Sequence, residues 1–124
     1  MPLLQFDASF PIEDEDAEAF AAAVTDAYTE EMATSSGHVA VVLRDEETLT
    51  LGRGEGERLL FVDAEIRQGR SFERKRAFAL AAMEVAHDRF EIPHANLKVV
   101  FTEHAGEEMM GYDRVGGEWS PDEE

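Results

Sequence analysis

Apolar positions in this chain fall into two rhythms, one of strands and one of helices, and the same order of elements runs twice. Leu3, Leu4 and Phe6 form a short apolar run that reads as a strand. A turn-like stretch follows, with Pro11 and the four acids Glu13 to Asp16. Phe20, Ala23, Val24, Ala27, Tyr28 and Met32 then recur at helical spacing. The acids ahead of them suit a helix start, where the peptide dipoles favour negative charge. Gly37 interrupts the pattern. His38–Leu43 is rich in β-branched residues and reads as a strand, with Thr48–Leu51 as a short extension. Gly52, Gly54 and Gly56 mark a loop.

The second half follows the same plan. Leu59–Ile66 reads as a strand, and Ser71 is placed to cap the next helix. Phe72, Arg76, Ala79, Leu80, Met83, Ala86, His87 and Phe90 are expected on one helical face, with Pro93 just past the helix end. Leu97–Thr102 is a further strand, and Glu103–Glu124 is a glycine-rich tail. Leu3-Leu4 and Asp7-Ala8 match Leu59-Leu60 and Asp63-Ala64, Phe20 matches Phe78, and Val41-Val42 match Val99-Val100. The expectation is a single α/β (α+β) domain over 1–124, built as a tandem β-α-β repeat with halves of about 2–56 and 57–115. Right-handed crossovers would give one four-stranded sheet with both helices on one face. The inward positions of the other face are read as apolar, and oligomerisation is expected to cover them.

Composition narrows the class. The chain has 124 residues, 44% of them apolar, and no cysteine, so disulfides and thiolate metal sites are excluded. There are 28 acids against 11 basic residues, a net charge of −17, and the only lysines are Lys75 and Lys98. Such a surface repels phosphate backbones, which argues against nucleic-acid binding. Acids spread throughout a lysine-poor chain suggest adaptation to high salt, where screening is short-ranged. No apolar run reaches the length of a membrane span, and the start MPLLQFD does not read as a signal peptide. A cytoplasmic location is expected. His38, His87, His94 and His104 are scattered without metal-ligand spacing, so neither metal nor other cofactor is expected.

Several local features then resemble the tautomerase superfamily, and in particular its longer members, such as macrophage migration inhibitory factor and 5-carboxymethyl-2-hydroxymuconate isomerase. Met1-Pro2 leads directly into a strand, and the tandem β-α-β order matches. Gly69-Arg70-Ser71-Phe72-Glu73-Arg74 sits between the third strand and second helix, like the Gly-Arg-Ser segment of the muconate isomerase. His38-Val39-Ala40-Val41 and Leu49-Thr50-Leu51-Gly52 resemble the second strand and next turn of the inhibitory factor. The resemblance spans roughly residues 2–115. It implies a homotrimer whose sheets line the inner wall, and a keto–enol isomerisation of a small carboxylated substrate.

The resemblance also implies the site. Once Met1 is removed, Pro2 presents a secondary amine. An α-amino group titrates near 7.7–8.0, and an apolar surrounding lowers that further, so the amine can act as a base near neutral pH. Arg70 is expected to bind a carboxylate or stabilise an enolate, with Arg67 as its replacement or helper and Arg53 in the glycine loop as a third cation. His38, Phe101, Tyr112 and Trp119 are candidate pocket residues. The decarboxylase branch uses an acid just before its second strand, where this chain has Ser36. The dehalogenases use an acid near the C-terminus, for which Glu118 is available. Two further readings therefore stand beside the tautomerase: decarboxylation or dehalogenation of a three-carbon acid, and a non-catalytic trimeric binding or scaffold protein.

Overall fold

The computed structural model describes residues 1–121, and in it the period-two alternation of the first apolar run sets one side of a sheet. Strand β1, Leu3–Ala8, buries Leu4, Phe6 and Ala8. Helix α1, Asp14–Glu31, lays Phe20, Val24 and Tyr28 onto that side. Strand β2, Ala40–Arg44, pairs parallel to β1. Strand β3, Leu60–Arg67, buries Leu60, Val62, Ala64 and Ile66 on the same side. Helix α2, Phe72–Phe90, precedes strand β4, Leu97–His104. A small antiparallel hairpin, β5 (Met110–Gly111) and β6 (Arg114–Val115), follows β4.

The main sheet has the order β2-β1-β3-β4, antiparallel only between the central pair. Leu3 lies opposite Ala40 and Leu60 opposite Leu97, thirty-seven positions apart in both cases. The two parallel registers are therefore equal, and the β-α-β order is repeated with the same strand spacing. The helices start 58 positions apart, at Asp14 and Phe72. The strand registers fit a constant strand offset of 56, from Leu4 to Leu60 and Val41 to Leu97. The second half has two extra residues before its helix and two fewer after it. The matching of Val41-Val42 to Val99-Val100 is corrected accordingly.

Between the helices and the sheet, aromatic rings form the core. Phe6 meets Phe20 edge-on at 5.0 Å, and Tyr28 meets Phe78 in the same way at 5.0 Å. Each such ring contributes about 1.5–3 kcal/mol through burial. The buried face of α2 is Phe78, Ala82, Ala86 and Phe90. Phe72 and Leu80, expected on that face, are instead 67% and 45% exposed. Ala82 and Ala86 take that face with the Phe78 and Phe90 rings, and alanine carries little hydrophobic signal.

Other expectations are adjusted. His38 falls in a short 3-10 turn, Ser36–His38, ahead of β2. Thr48–Leu51 forms no strand; Thr50 and Leu51 border a groove on the open side of the sheet. That open side is mixed rather than apolar. Asp7 pairs with Arg44 at 2.7 Å, and Gln5 donates to Asp63 at 3.5 Å. The glycine loop is pinned from behind by fully buried Asn96, whose Oδ1 accepts from Glu55 N at 2.7 Å and whose Nδ2 donates to the carbonyls of Glu55 and Arg58. Ser71 caps α2 as expected, its hydroxyl accepting from Arg74 N at 3.2 Å.

Candidate active site

Pro2 sits buried just ahead of β1, its carbonyl accepting from Ala40 N at 3.0 Å. That bond fixes the proline against the start of β2. A cavity of about 170 Å³ opens beside it, walled by Met1, Thr34, Ser35 and His38 on one side. Arg67, Arg114, Gly116, Gly117 and Glu118 form the other wall. Met1 precedes Pro2 in this structure, so the proline nitrogen is an amide and carries no basicity until Met1 is cleaved.

Arg67 is the last residue of β3 and is nearly buried. Its Nη1 donates to the Gly117 carbonyl at 2.8 Å. Arg114, on β6, donates from Nη1 to Nε2 of His38 at 2.8 Å. The bond requires a neutral imidazole with its proton on Nδ1. Two guanidiniums and an imidazole thus face the proline across a small space, an arrangement suited to an anionic ligand.

This wall exists because the tail doubles back. Gly116 N donates to Met109 O at 2.7 Å. A Cβ at Gly116 would lie 2.8 Å from Gly106 O and 2.9 Å from Met109 O, and one at Gly106 would strike the Gly117 carbonyl. Only glycine lets these two stretches of backbone approach so closely. Beyond them Trp119 swings under the end of α1, donating from Nε1 to Ala33 O at 3.2 Å.

Arg70 has a different place from the one expected. It does not line the cavity. Its Nε donates to Met32 O at 2.9 Å, and its guanidinium lies 5.0 Å from the Trp119 ring and 5.6 Å from the Tyr28 ring. Arg74 lies 5.3 Å from the Trp119 ring and donates to Glu31 O at 3.4 Å. The last carbonyls of α1 are thus taken by Arg74, Arg70 and Trp119. Helix ends leave such carbonyls unsatisfied, and cations there also answer the helix dipole. Ala33 ends the helix in the left-handed region, at φ 51.

The remaining expected residues separate. Trp119 braces these arginines instead of lining the cavity. Phe101 packs edge-on against Phe78 at 6.3 Å and borders a groove beside α2. Arg53 stays exposed in the glycine loop, and Tyr112 is fully exposed at the hairpin tip. Pro2, Arg67, His38 and Glu118 do come together. Sequence reasoning missed Arg114, Thr34 and Ser35. The signal for Arg114 is its setting, a cation between Gly111 and the pair Gly116-Gly117.

The electrostatics of the sheet add one more group. Next to the cavity, His104 Nε2 and Glu65 Oε1 are 2.7 Å apart. Hydrogen bonds from His104 first, and then Asp63, hold the Glu65 carboxyl below its ordinary range. Desolvation, followed by the Glu65 hydrogen bond, pushes Asp63 up. Among the described residues, no group of three or more His, Asp or Glu side chains is placed to hold a metal ion. No helix among them is long and apolar enough to cross a membrane.

No family model and no curated protein sequence matches the chain. Solved structures do. Leishmania major MIF2 superposes with a TM-score of 0.79 at 16% identity, over 94% of this chain and 97% of that one. N1, a member of the cis-3-chloroacrylic acid dehalogenase family, gives 0.80 at 25% identity, over 92% and 84%. FG41 malonate semialdehyde decarboxylase, inhibited by 3-bromopropiolate, gives 0.75 at 20%, over 90% and 91%. These neighbours are members of the tautomerase superfamily, and the chain has the fold of that superfamily.

Proposed function

We propose that this protein is a tautomerase that isomerises a small keto or enol acid, with the amine of Pro2 as its base once Met1 is cleaved. The observation that carries the reading is the cavity that brings buried Pro2 together with Arg67, Arg114 and His38. Burial of Pro2 and the nearby guanidiniums both disfavour a protonated amine, which favours the base form near neutral pH. The carboxylate of the substrate binds between Arg67 and Arg114, and those cations hold the charge that develops on the enolate oxygen. Arg70 acts at one remove, fixing the end of α1 and the Trp119 strap. The working assembly is a homotrimer.

The test is ketonisation of an enol acid, such as the enol form of phenylpyruvate, by the Met-free protein. Pro2→Ala is expected to lower kcat/KM by about 10² or more. Equal rates for the two proteins would overturn the reading. Intact Met1 in the working protein, read by mass spectrometry, would favour a binding or scaffold role instead.

A second reading is favoured by one contact. Glu118 lines the cavity, and in this reading it is the acid that activates water. Similar structures include a decarboxylase and a member of a dehalogenase family. Turnover of a three-carbon acid that is lost in Glu118→Gln, with ketonisation spared, would establish this chemistry. No turnover of such acids dismisses it.

A further inference from the structure

At about 170 Å³ the cavity beside Pro2 is smaller than the roughly 300 Å³ at which ligand pockets begin. A second cavity, of about 340 Å³, lies next to it, lined by Leu3, Glu65, His104, Glu108, Met109 and Met110. Met1 belongs to the wall of both. Its methyl end reaches across to the hairpin, 3.7 Å from where a Cβ on Gly111 would be. The residue that must leave to free the proline nitrogen therefore also lines both spaces. Its departure joins them into one chamber large enough for a small acid.

What the second space adds is a proton-handling pair. Glu65 lies opposite Leu3 in the register between β1 and β3, and His104 lies opposite Arg67 between β3 and β4. The pair is thus one strand step from both the cation and the start of β1. Glu65 carries a carboxylate held below its ordinary range by His104, then Asp63, and also by Thr102. An ionised carboxylate at 2.7 Å keeps the imidazole proton on Nε2. Nδ1 is then the atom that gains and loses a proton.

We propose that His104, oriented by Glu65, is a second catalytic acid–base residue, reached by substrate only after Met1 has left. The proposal rests on the tautomerase reading above. In the enol-to-keto direction the Pro2 amine takes the hydroxyl proton and a carbonyl forms. The electron pair of the carbon–carbon double bond takes the proton from Nδ1 of the His104 imidazolium, making the new C–H bond. The prolinium then returns a proton to His104 through water, so the protein ends as it began. The groups facing His104 are Glu65 and Arg67 from β3 and Glu108 from the turn after β4. Glu108 is occupied in accepting from Ala105 N at 3.2 Å.

Two measurements test this. In the Met-free protein, His104→Gln is expected to lower kcat for ketonisation about 10²-fold, with KM changed less than about threefold. It should also remove the basic limb of the pH–rate profile, because the imidazolium is the donor, and leave the acidic limb that belongs to Pro2. Glu65→Gln, which removes the carboxylate that orients the ring, should lower kcat less and leave KM within about threefold. A His104→Gln protein that keeps kcat and both limbs, while Pro2→Ala is inactive, overturns the role of His104 and leaves the tautomerase reading standing. Separately, phenyllactate, which cannot ketonise, should shift the His104 ring resonances in the Met-free protein and not in an N-terminally extended one. That shift in a protein without ketonase activity would keep the joined chamber and overturn both the tautomerase reading and the catalytic role. Identical spectra in the two forms would overturn the joining itself.

Discussion

Arg67 reaches beyond the end of β3 to donate a 2.8 Å hydrogen bond to the carbonyl of Gly117, fifty positions further along the chain. One guanidinium therefore faces the Pro2 cavity and also fastens the strap that walls it. Arg67→Lys keeps the charge and loses the planar fork. KM for a carboxylate substrate should rise about tenfold, with kcat less affected. Arg67→Ala should also lose the bond to Gly117, worth about 1.5–3 kcal/mol as a charged hydrogen bond. Faster amide exchange at Gly116–Trp119 would reveal the freed strap. Unchanged exchange there would mean that other contacts hold it.

The strap depends equally on missing side chains. Gly106→Ala places a Cβ against the Gly117 backbone, and backbone cannot step aside as a side-chain tip does. A cost of about 1–3 kcal/mol is expected in urea unfolding, with loss of ligand binding. Gly37→Ala is the control, since a Cβ there meets nothing within 4 Å. If both substitutions are neutral, the close approach of the two segments is not what closes the cavity.

Much of the architecture was readable from residue pattern because strands and helices write their burial into local periodicity. The alternation of β1 and β3 gave the buried side of the sheet directly, and Ser71 announced the start of α2. The buried face of α2 was read only in part: Ala86 and Phe90 are buried as expected, whereas Phe72 and Leu80 are larger signals than Ala82 and drew the face away from it. Arg67 was legible as a cation at a strand end. Arg114 was not, because its place follows from a reversal of the tail that no local pattern encodes. Arg70 resembled a substrate ligand by motif, yet the carbonyls at the end of α1 claim it. That competition is tertiary and invisible to spacing. The place of Met1 in the walls of two cavities is of the same kind.

The paired carboxyls on the open side of the sheet make stability depend on pH in two opposing ways. Glu65 is held down, chiefly by His104, so it stabilises the fold above its unfolded value. That contribution is lost as pH falls through its lowered folded value. Asp63 is pushed up, chiefly by desolvation, so its contribution is present in acid and is lost as pH rises through its raised folded value. Glu65→Gln should flatten the loss of Tm below about pH 4. Asp63→Asn should raise Tm at pH 7 and change it little in acid. Melting curves from pH 3 to 7 separate the two; parallel curves for all three proteins would contradict the pairing.

Trp119 is the chain's one tryptophan, and it sits where the strap meets the end of α1. Its ring lies 5.0 Å from the Arg70 guanidinium and 5.3 Å from that of Arg74. Each such contact contributes about 0.5–2 kcal/mol, according to how far it is shielded from water. Trp119→Ala removes both, and leaves the Ala33 carbonyl to solvent. The expected loss is about 1–3 kcal/mol, together with a rise in KM as the wall at Gly116–Gly117 loosens. Trp119→Phe retains the ring face and lacks the Nε1 donor, so it should recover most of the stability and part of the affinity. The native indole also reports on the strap without any label. In Arg67→Ala its emission should shift to the red at denaturant concentrations below those that unfold the helices, because the strap releases first. Coincident fluorescence and circular-dichroism transitions in that variant would show instead that strap and core open as one unit.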